Sequence, residues 1–352
     1  MERTRNPRPR PAEDALGFGQ HFSDHMFEME WNAKDGWHGA RIRPYGDISL
    51  DPAASVFHYG QAMFDGFKAF RGKDGVIRVF RPDMHCARIR DGAKRMCLPS
   101  VDAKFVEHAL FKLLQVEESW VPVARGASMY VRPTLIGTEP FLGVRPAGRC
   151  LFFIIMSPVG AYYAEGAKPV KIWVEQEQVR AARGGLGAVK AGANYAASLF
   201  AAQRARDRGY AQVLWLDAAE HRYLEEVGTM NLFLRIGDEL ITPPLHGSIL
   251  PGVTRDSVLR VLRDWGLRVS ERDVSLDEVR QAHAAGELRE VFGCGTAAVI
   301  SPVGELGIGD ERLVIAGGGT GEIATRLYDE LTGIQYGEKP DRYGWMVAVP
   351  RG

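Results

Sequence analysis

The pattern of apolar and polar positions changes character near residue 160. Before it, residues 56–60, 76–80, 128–136 and 150–156 are rich in β-branched and aromatic side chains with Gly or Pro close by, which predicts strands. Residues 82–96 and 101–116 predict helices between them. In the second, Val106, Leu110, Leu113 and Leu114 recur at i, i+4, i+7 and i+8 and share one face. Small residues and glycine dominate 160–168. Past that point helix and strand alternate more regularly. Residues 194–208 predict a helix ended by Gly209, with Arg204, Arg206 and Arg208 near its negative end. Residues 212–216 predict a strand, and 231–236 with 239–242 a hairpin around Gly237-Asp238. Residues 253–265 are amphipathic through Val258, Val261, Leu262 and Trp265, and Ser275 with Glu278 forms a capping box opening another helix. Strands at 291–297 and 299–303 and a last helix at 323–331 complete the pattern. It predicts a two-domain, mixed α/β (α+β) chain: a disordered tail at 1–14, a small domain at 15–163, a linker at 164–178 and a large domain at 179–352.

Composition narrows the class. A chain of 352 residues suits about two domains and needs no disulfide or metal staple. Its 45% hydrophobic and 25% charged residues exclude a disordered or fibrous protein. Lys plus Arg equal Asp plus Glu at 44 each, so there is no basic surplus for nucleic acid. Four cysteines without a Cys-x-x-Cys pair argue against a disulfide framework and a zinc site. No apolar run approaches the roughly 18 residues of a membrane span. The tail interleaves Arg3, Arg5, Arg8 and Arg10 with Pro7, Pro9 and Pro11 and has no apolar signal segment, so a cytoplasmic protein is expected.

Candidate chemistry gathers at a few places. In the run 184–195, Lys190 is the one charged residue among glycines, small apolar residues, Asn194 and Tyr195. Such an amine loses water, which lowers its pKa toward that of a nucleophile. The plain alternative is a surface-loop lysine. Glu225 and Glu226 enter a buried strand, where neighbours face opposite sides, so one carboxylate points inward and needs a cationic or protonated partner. Pro251-Gly252 runs straight into a helix, whose first N–H groups at Val253 and Thr254 favour an anion. Thr296 stands in a small-residue turn, and the basic run Arg88, Arg90, Lys94, Arg95 can turn one guanidinium inward. Gly317–Gly321 lacks the ending of a P-loop, and His21 with His25 lacks the spacing of a metal site, so no metal is expected.

Together these groups offer an amine for an imine, an acid for a ring nitrogen, and donors for a phosphate, which is what pyridoxal 5'-phosphate requires. The runs Glu226-Val227-Gly228-Thr229-Met230-Asn231 and Leu250-Pro251-Gly252-Val253-Thr254-Arg255 resemble the branched-chain amino-acid aminotransferases of fold type IV. So do Phe64-Asp65-Gly66-Phe67-Lys68-Ala69-Phe70, Tyr130-Val131-Arg132-Pro133 and Ile334-Gln335-Tyr336-Gly337, in the family's order. The resemblance implies a two-domain fold with pyridoxal 5'-phosphate in the cleft between the domains, and a homodimer. It implies reversible, ping-pong transamination between leucine, isoleucine or valine and 2-oxoglutarate. Lys190 matches the imine-forming lysine, Glu226 the acid on the ring nitrogen, and Tyr195 the tyrosine near the ring's phenolic oxygen. Arg88, Val253, Thr254 and Thr296 match the phosphate grip. Phe18, Tyr59, Phe64 and Tyr162 match the apolar walls of the substrate pocket. Thr229 and Ala297 match positions around the substrate carboxylate, while Tyr130 and Arg132 match those reading the glutamate side chain. D-amino-acid transaminases and aminodeoxychorismate lyase share the lysine–glutamate pair, but the matches at 64–66 and 130–132 favour the branched-chain enzyme. At Ala298 and Ser301 the chain departs from the Cys-x-x-Cys pair of the animal enzymes, so no thiol switch is expected.

Overall fold

In the computed structural model, which describes residues 1–160 and 168–351, the chain divides into two units. The first comprises Met1–Ala164, Val189–Ala193 and Gly333–Gly352, and the second Glu165–Ala188 and Asn194–Thr332.

The first unit runs β1 (His25–Asn32), β2 (Gly36–Pro44), α1 (Ser55–Tyr59), β3 (Ala62–Phe64), β4 (Phe67–Arg71), β5 (Ile77–Phe80), α2 (Pro82–Arg95), α3 (Ala103–Val116), β6 (Ser128–Gly137) and β7 (Arg149–Val159). Its antiparallel sheet is ordered β5-β4-β6-β7-β1-β2, with β3 on β6 and the C-terminal strand Met346–Ala348 on β5. The sheet and both long helices share one core: Phe67, Ala69 and Val79 pack with Cys86 and Ile89 of α2 and with Leu110 and Leu113 of α3. Local chemistry starts the helices where they start. Pro82 takes the first position of α2, where its missing N–H costs nothing. The Asp102 carboxylate caps α3 by accepting from the Phe105 N–H at 2.8 Å.

Four expectations differ from this structure. Residues 56–60, read as a strand, are the short helix α1. Gly60 ends it in the left-handed region at φ +57°, its N–H donating to the Val56 carbonyl. The tail, expected to be disordered, lies along the first unit: the Glu2 N–H donates to Ile42, Thr4 to His25 Nε2 and Arg8 to Asp24. The segment beyond 333, expected in the large domain, belongs to the first unit. There Val349 donates to the Ile77 carbonyl and the Tyr336 hydroxyl to Ala127. The stretch expected as linker contains a sheet strand, described next.

The second unit contains β8 (Val170–Glu175), α4 (Gly192–Asp207), β9 (Gln212–Leu216), β10 (Leu224–Val227), β11 (Met230–Ile236), β12 (Glu239–Thr242), α5 (Val253–Asp264), β13 (Arg268–Glu271), α6 (Leu276–Ala284), β14 (Leu288–Gly295), β15 (Val299–Ile308), β16 (Glu311–Val314) and α7 (Glu322–Gln335). The order β10-β9-β8-β15-β14-β11, with β10 also pairing β11, closes a ring of six strands. Here β8 pairs in parallel with both β9 and β15, so the residues around 170–175 are central sheet. The ring strands and α6 share a core that includes Val174, Leu214, Leu232, Val279 and Leu306. Ser275 caps α6, accepting from the Glu278 N–H at 3.1 Å. No helix among the described residues is long and apolar enough to cross a membrane.

Candidate active site

Lys190 belongs to the first unit, on a short stretch that adds to the edge of β3. Met63 pairs with Ala191 as an antiparallel bridge, and the Phe64 N–H donates to the Lys190 carbonyl at 3.0 Å. Lys190 is half-buried as a residue, and its ammonium stands 5.2 Å from the centroid of the Phe64 ring. Loss of water lowers its pKa first and repulsion from Arg88 next. Arg132 adds to this, while Tyr130 and Asp65 oppose it.

Around it the same unit gathers Phe18, Phe64, Arg88, Tyr130 and Arg132. Arg132 lies 4.6 Å from the Phe64 ring centroid and donates to the Tyr130 hydroxyl at 3.1 Å. Its buried Nε has no hydrogen-bond partner among the described residues. Phe18 meets Tyr130 edge-on at 5.1 Å. The Tyr130 ring needs Gly66 beneath it, since a Cβ there would stand 1.9 Å from the hydroxyl oxygen. Of the basic run, Arg88 alone turns inward, while Arg90, Lys94 and Arg95 are exposed. Arg88 donates through Nε and Nη2 to the two oxygens of Asp65, each at 2.8 Å, and His85 Nδ1 reaches the same carboxylate at 2.9 Å. Burial opposes the charge on Asp65, yet Arg88 and His85 outweigh it and hold the carboxyl well below its usual range. Tyr59 is exposed on α1 with its hydroxyl given to the Leu142 carbonyl. Tyr162 lies outside the described residues.

The second unit carries the acid. Glu226 and Asn231 face each other across the β10–β11 hairpin, whose turn is Gly228-Thr229. Asn231 Nδ2 donates to Glu226 Oε1 at 3.1 Å and to the Leu250 carbonyl at 2.9 Å. Arg180 Nε pairs with Glu226 Oε2 at 2.6 Å, while its Nη2 donates to the carbonyls of Gly187 and Ser248. One guanidinium therefore fixes both the acid and the loop leading to Lys190. Gly187 must be glycine, because a Cβ would stand 2.1 Å from the Ser248 carbonyl oxygen. Expecting one carboxylate of the Glu225-Glu226 pair to point inward was too simple. Both are buried: Glu226 meets Arg180 and Asn231, while Glu225 accepts from the Ser248 hydroxyl.

Val253 and Thr254 are buried at the start of α5, where Gly252 supplies no side-chain cap. A Cβ at Gly252 would stand 1.9 Å from Asn231 Oδ1, so the helix start and the acid's partner are packed together. Thr296 and Ala297 are half-buried in the turn from β14 to β15. Because Asn231 pairs with Cys294, that turn lies alongside the turn holding the exposed Thr229. Tyr195 is half-buried in the first turn of α4.

Sequence reasoning missed Asp65, His85, Arg180 and Ser248 as working parts. Asp65 had a signal, being a lone acid between Phe64 and Phe67. Arg180 and Ser248 had none, since each acquires its partner only through folding.

The chain belongs to the amino-transferase class IV family, whose model matches residues 62–306. It is an enzyme of fold type IV, an aminotransferase whose cofactor is pyridoxal 5'-phosphate. The branched-chain-amino-acid aminotransferase 2 of Bacillus subtilis (strain 168) is 51% identical over 349 residues, covering 99% of this chain and 96% of that protein. The crystal structure of the Escherichia coli branched-chain amino acid aminotransferase matches with a TM-score of 0.78 at 28% identity, over 93% of this chain and 99% of that one. The T.th. branched-chain amino acid aminotransferase with pyridoxamine 5'-phosphate matches with a TM-score of 0.74 at 25% identity, over 92% and 98%. The residues present suit the cofactor chemically: an amine of lowered pKa, a buried acid held by an amide and a guanidinium, and a helix start without a side-chain cap.

Proposed function

We propose that this chain moves the amino group of leucine, isoleucine or valine to 2-oxoglutarate, reversibly and by a ping-pong route, with Lys190 as the catalytic amine. The observation that carries this reading is the desolvated Lys190 beside Phe64, Tyr130 and Arg132. Bound pyridoxal 5'-phosphate supplies an electron sink and carries the amino group between the two half-reactions. Lys190, with its lowered pKa, would take the proton from the amino acid's α-carbon in one half-reaction and deliver a proton to the 2-oxo acid's second carbon in the other. Glu226, aligned by Asn231 and Arg180, keeps a proton on the ring nitrogen, and Tyr195 meets the phenolic oxygen. The N–H groups of Val253 and Thr254, the Thr296 hydroxyl and Arg88 receive the phosphate, with Asp65 orienting Arg88.

Phe18, Tyr59 and Phe64 form the apolar wall for an aliphatic side chain, a role that the resemblance also gives to Tyr162. Thr229 and Ala297 meet the α-carboxylate. Arg132, with its unpartnered Nε, and Tyr130 supply donors for the second carboxylate of 2-oxoglutarate and glutamate. The enzyme works in the cytoplasm as a homodimer. The exposed apolar side chains of Phe57, Leu142 and Val144 support that assembly, because a second copy would cover them.

An absorbance spectrum of the cofactor-loaded protein tests the reading. A visible band should bleach with L-leucine and return with 2-oxoglutarate. A band indifferent to leucine would overturn the substrate, and no band after reconstitution would overturn the role of Lys190.

A further inference from the structure

Glu225 has no part in the reaction as described, yet it is buried one residue from the ring-nitrogen acid. Its charge balance is unusual. Glu225 and Glu226 are both nearly excluded from water, at 5% and 3% exposure, and the Arg180 guanidinium acts on both. Asp217, just past β9, also acts on Glu225 and is itself an acid. Arg180 makes its ion pair with Glu226, not with Glu225. Glu225 is left with the Ser248 hydroxyl on Oε1, and its buried Oε2 has no partner among the described residues. A buried carboxylate given one neutral donor and no cation of its own is poorly compensated. Neutrality for Arg180, Glu226 and Glu225 together is reached when Glu225 keeps its proton.

We propose that Glu225 is a positioning acid for Glu226: protonated while Arg180 is paired with Glu226, it releases its proton to bulk water when a protonated ring nitrogen is seated on Glu226. This rests on the functional reading above, in which Glu226 receives that nitrogen. A further cation seated on Glu226 adds one positive charge to these three groups, and an ionised Glu225 offsets it. The second negative charge then helps keep the ring nitrogen protonated, which Glu226 alone does less well while shared with Arg180. Burial is the largest influence on Glu225, followed by Ser248 and Arg180, which oppose it, and then Glu226 and Asp217. The result is a carboxyl pushed up to about 7, so its proton is available for exchange near neutral pH.

The test counts protons. The apo-protein is titrated with pyridoxamine 5'-phosphate, which has no aldehyde to join Lys190, by calorimetry at pH 7 in two buffers of different ionisation enthalpy. Wild type should release about half a proton more than Glu225→Gln, as linkage requires for a group half-protonated beforehand. Equal release by both would overturn the proposal. Ser248→Ala removes the donor that favours ionised Glu225, so its release at pH 8 should exceed that of wild type. If Glu225→Gln does not fold, that comparison decides, and equal values at pH 8 overturn the proposal. Binding with equal proton counts defeats this inference alone. A wild type that does not bind the probe defeats the functional reading with it.

Discussion

The acid clusters of the two units have opposite balances. In the first unit a single carboxylate, Asp65, meets Arg88 on both oxygens and His85 as well. In the second, two carboxyls, Glu225 and Glu226, share Arg180. All three acids are buried. Asp65 is nevertheless held well below its ordinary pKa, while Glu225 is pushed up to about 7. Burial alone therefore does not set the protonation state; the number and charge of the donors that folding supplies do. The same contrast reaches function. On the proposed reading, the first cluster keeps a cation oriented near the catalytic amine, and the second keeps acids ready to face a cation.

Replacing Lys190, the amine that the first cluster serves, should have the largest effect. Lys190→Ala is expected to keep the fold, seen by circular dichroism, and to lose about 10²–10⁴-fold or more in turnover. Normal kinetics would remove the amine from the chemistry. Next comes Asp65→Ala, which leaves Arg88 without its buried counter-charge and should cost about 3–5 kcal/mol in chemical denaturation. A cost near zero would show that Asp65 is not what balances that cluster. Each cluster also has a glycine beneath it. Gly66→Ala pushes on Tyr130 and Gly252→Ala on Asn231, so each should cost about 1–3 kcal/mol. Gly252→Ala should in addition weaken cofactor binding, measured by titration.

In their pH dependence the two acids should differ in sign. The carboxyl of Asp65 is lowered from 3.8, so its stabilisation is complete above that value and is lost only as pH falls through the lower folded one. Glu225 is raised from 4.5 to about 7, so its stabilisation is complete below 4.5 and disappears as pH rises through 7. Between pH 4.5 and 7 the stability of wild type relative to Glu225→Gln should therefore fall, by at most about 1.4 kcal/mol per pH unit. Relative to Asp65→Asn it should stay flat. Parallel profiles from denaturation at several pH values would erase the contrast.

Long elements with a regular period were legible. Helix α3, strand β9 and the hairpin of β11 and β12 lie where their apolar spacing and turn residues put them. Short elements were not. Five residues of α1 carry too little periodicity to outweigh the strand preference of Val56, Phe57 and Tyr59, and the three residues of β3 and of the C-terminal strand carry none. The candidate site was legible where chemistry is written in neighbouring residues, as around Lys190 with its glycines or Glu226 with Asn231. It was illegible at Arg180, which has no local pattern at all.

By itself, then, the sequence determined the mixed helix-and-strand architecture, the placement of its long elements and the motifs that mark the family. Those features depend on residue type and near spacing, which govern local backbone geometry and helix ends. The tertiary structure decided which carboxyl is lowered in pKa and which is raised, and how the ring of six strands closes. Charges are compensated by groups brought from afar: Asp65 finds His85 and Arg88 20 and 23 positions away, and Glu225 finds Ser248 at 23. Electrostatic balance depends on distance in space, and no spacing along the chain encodes it.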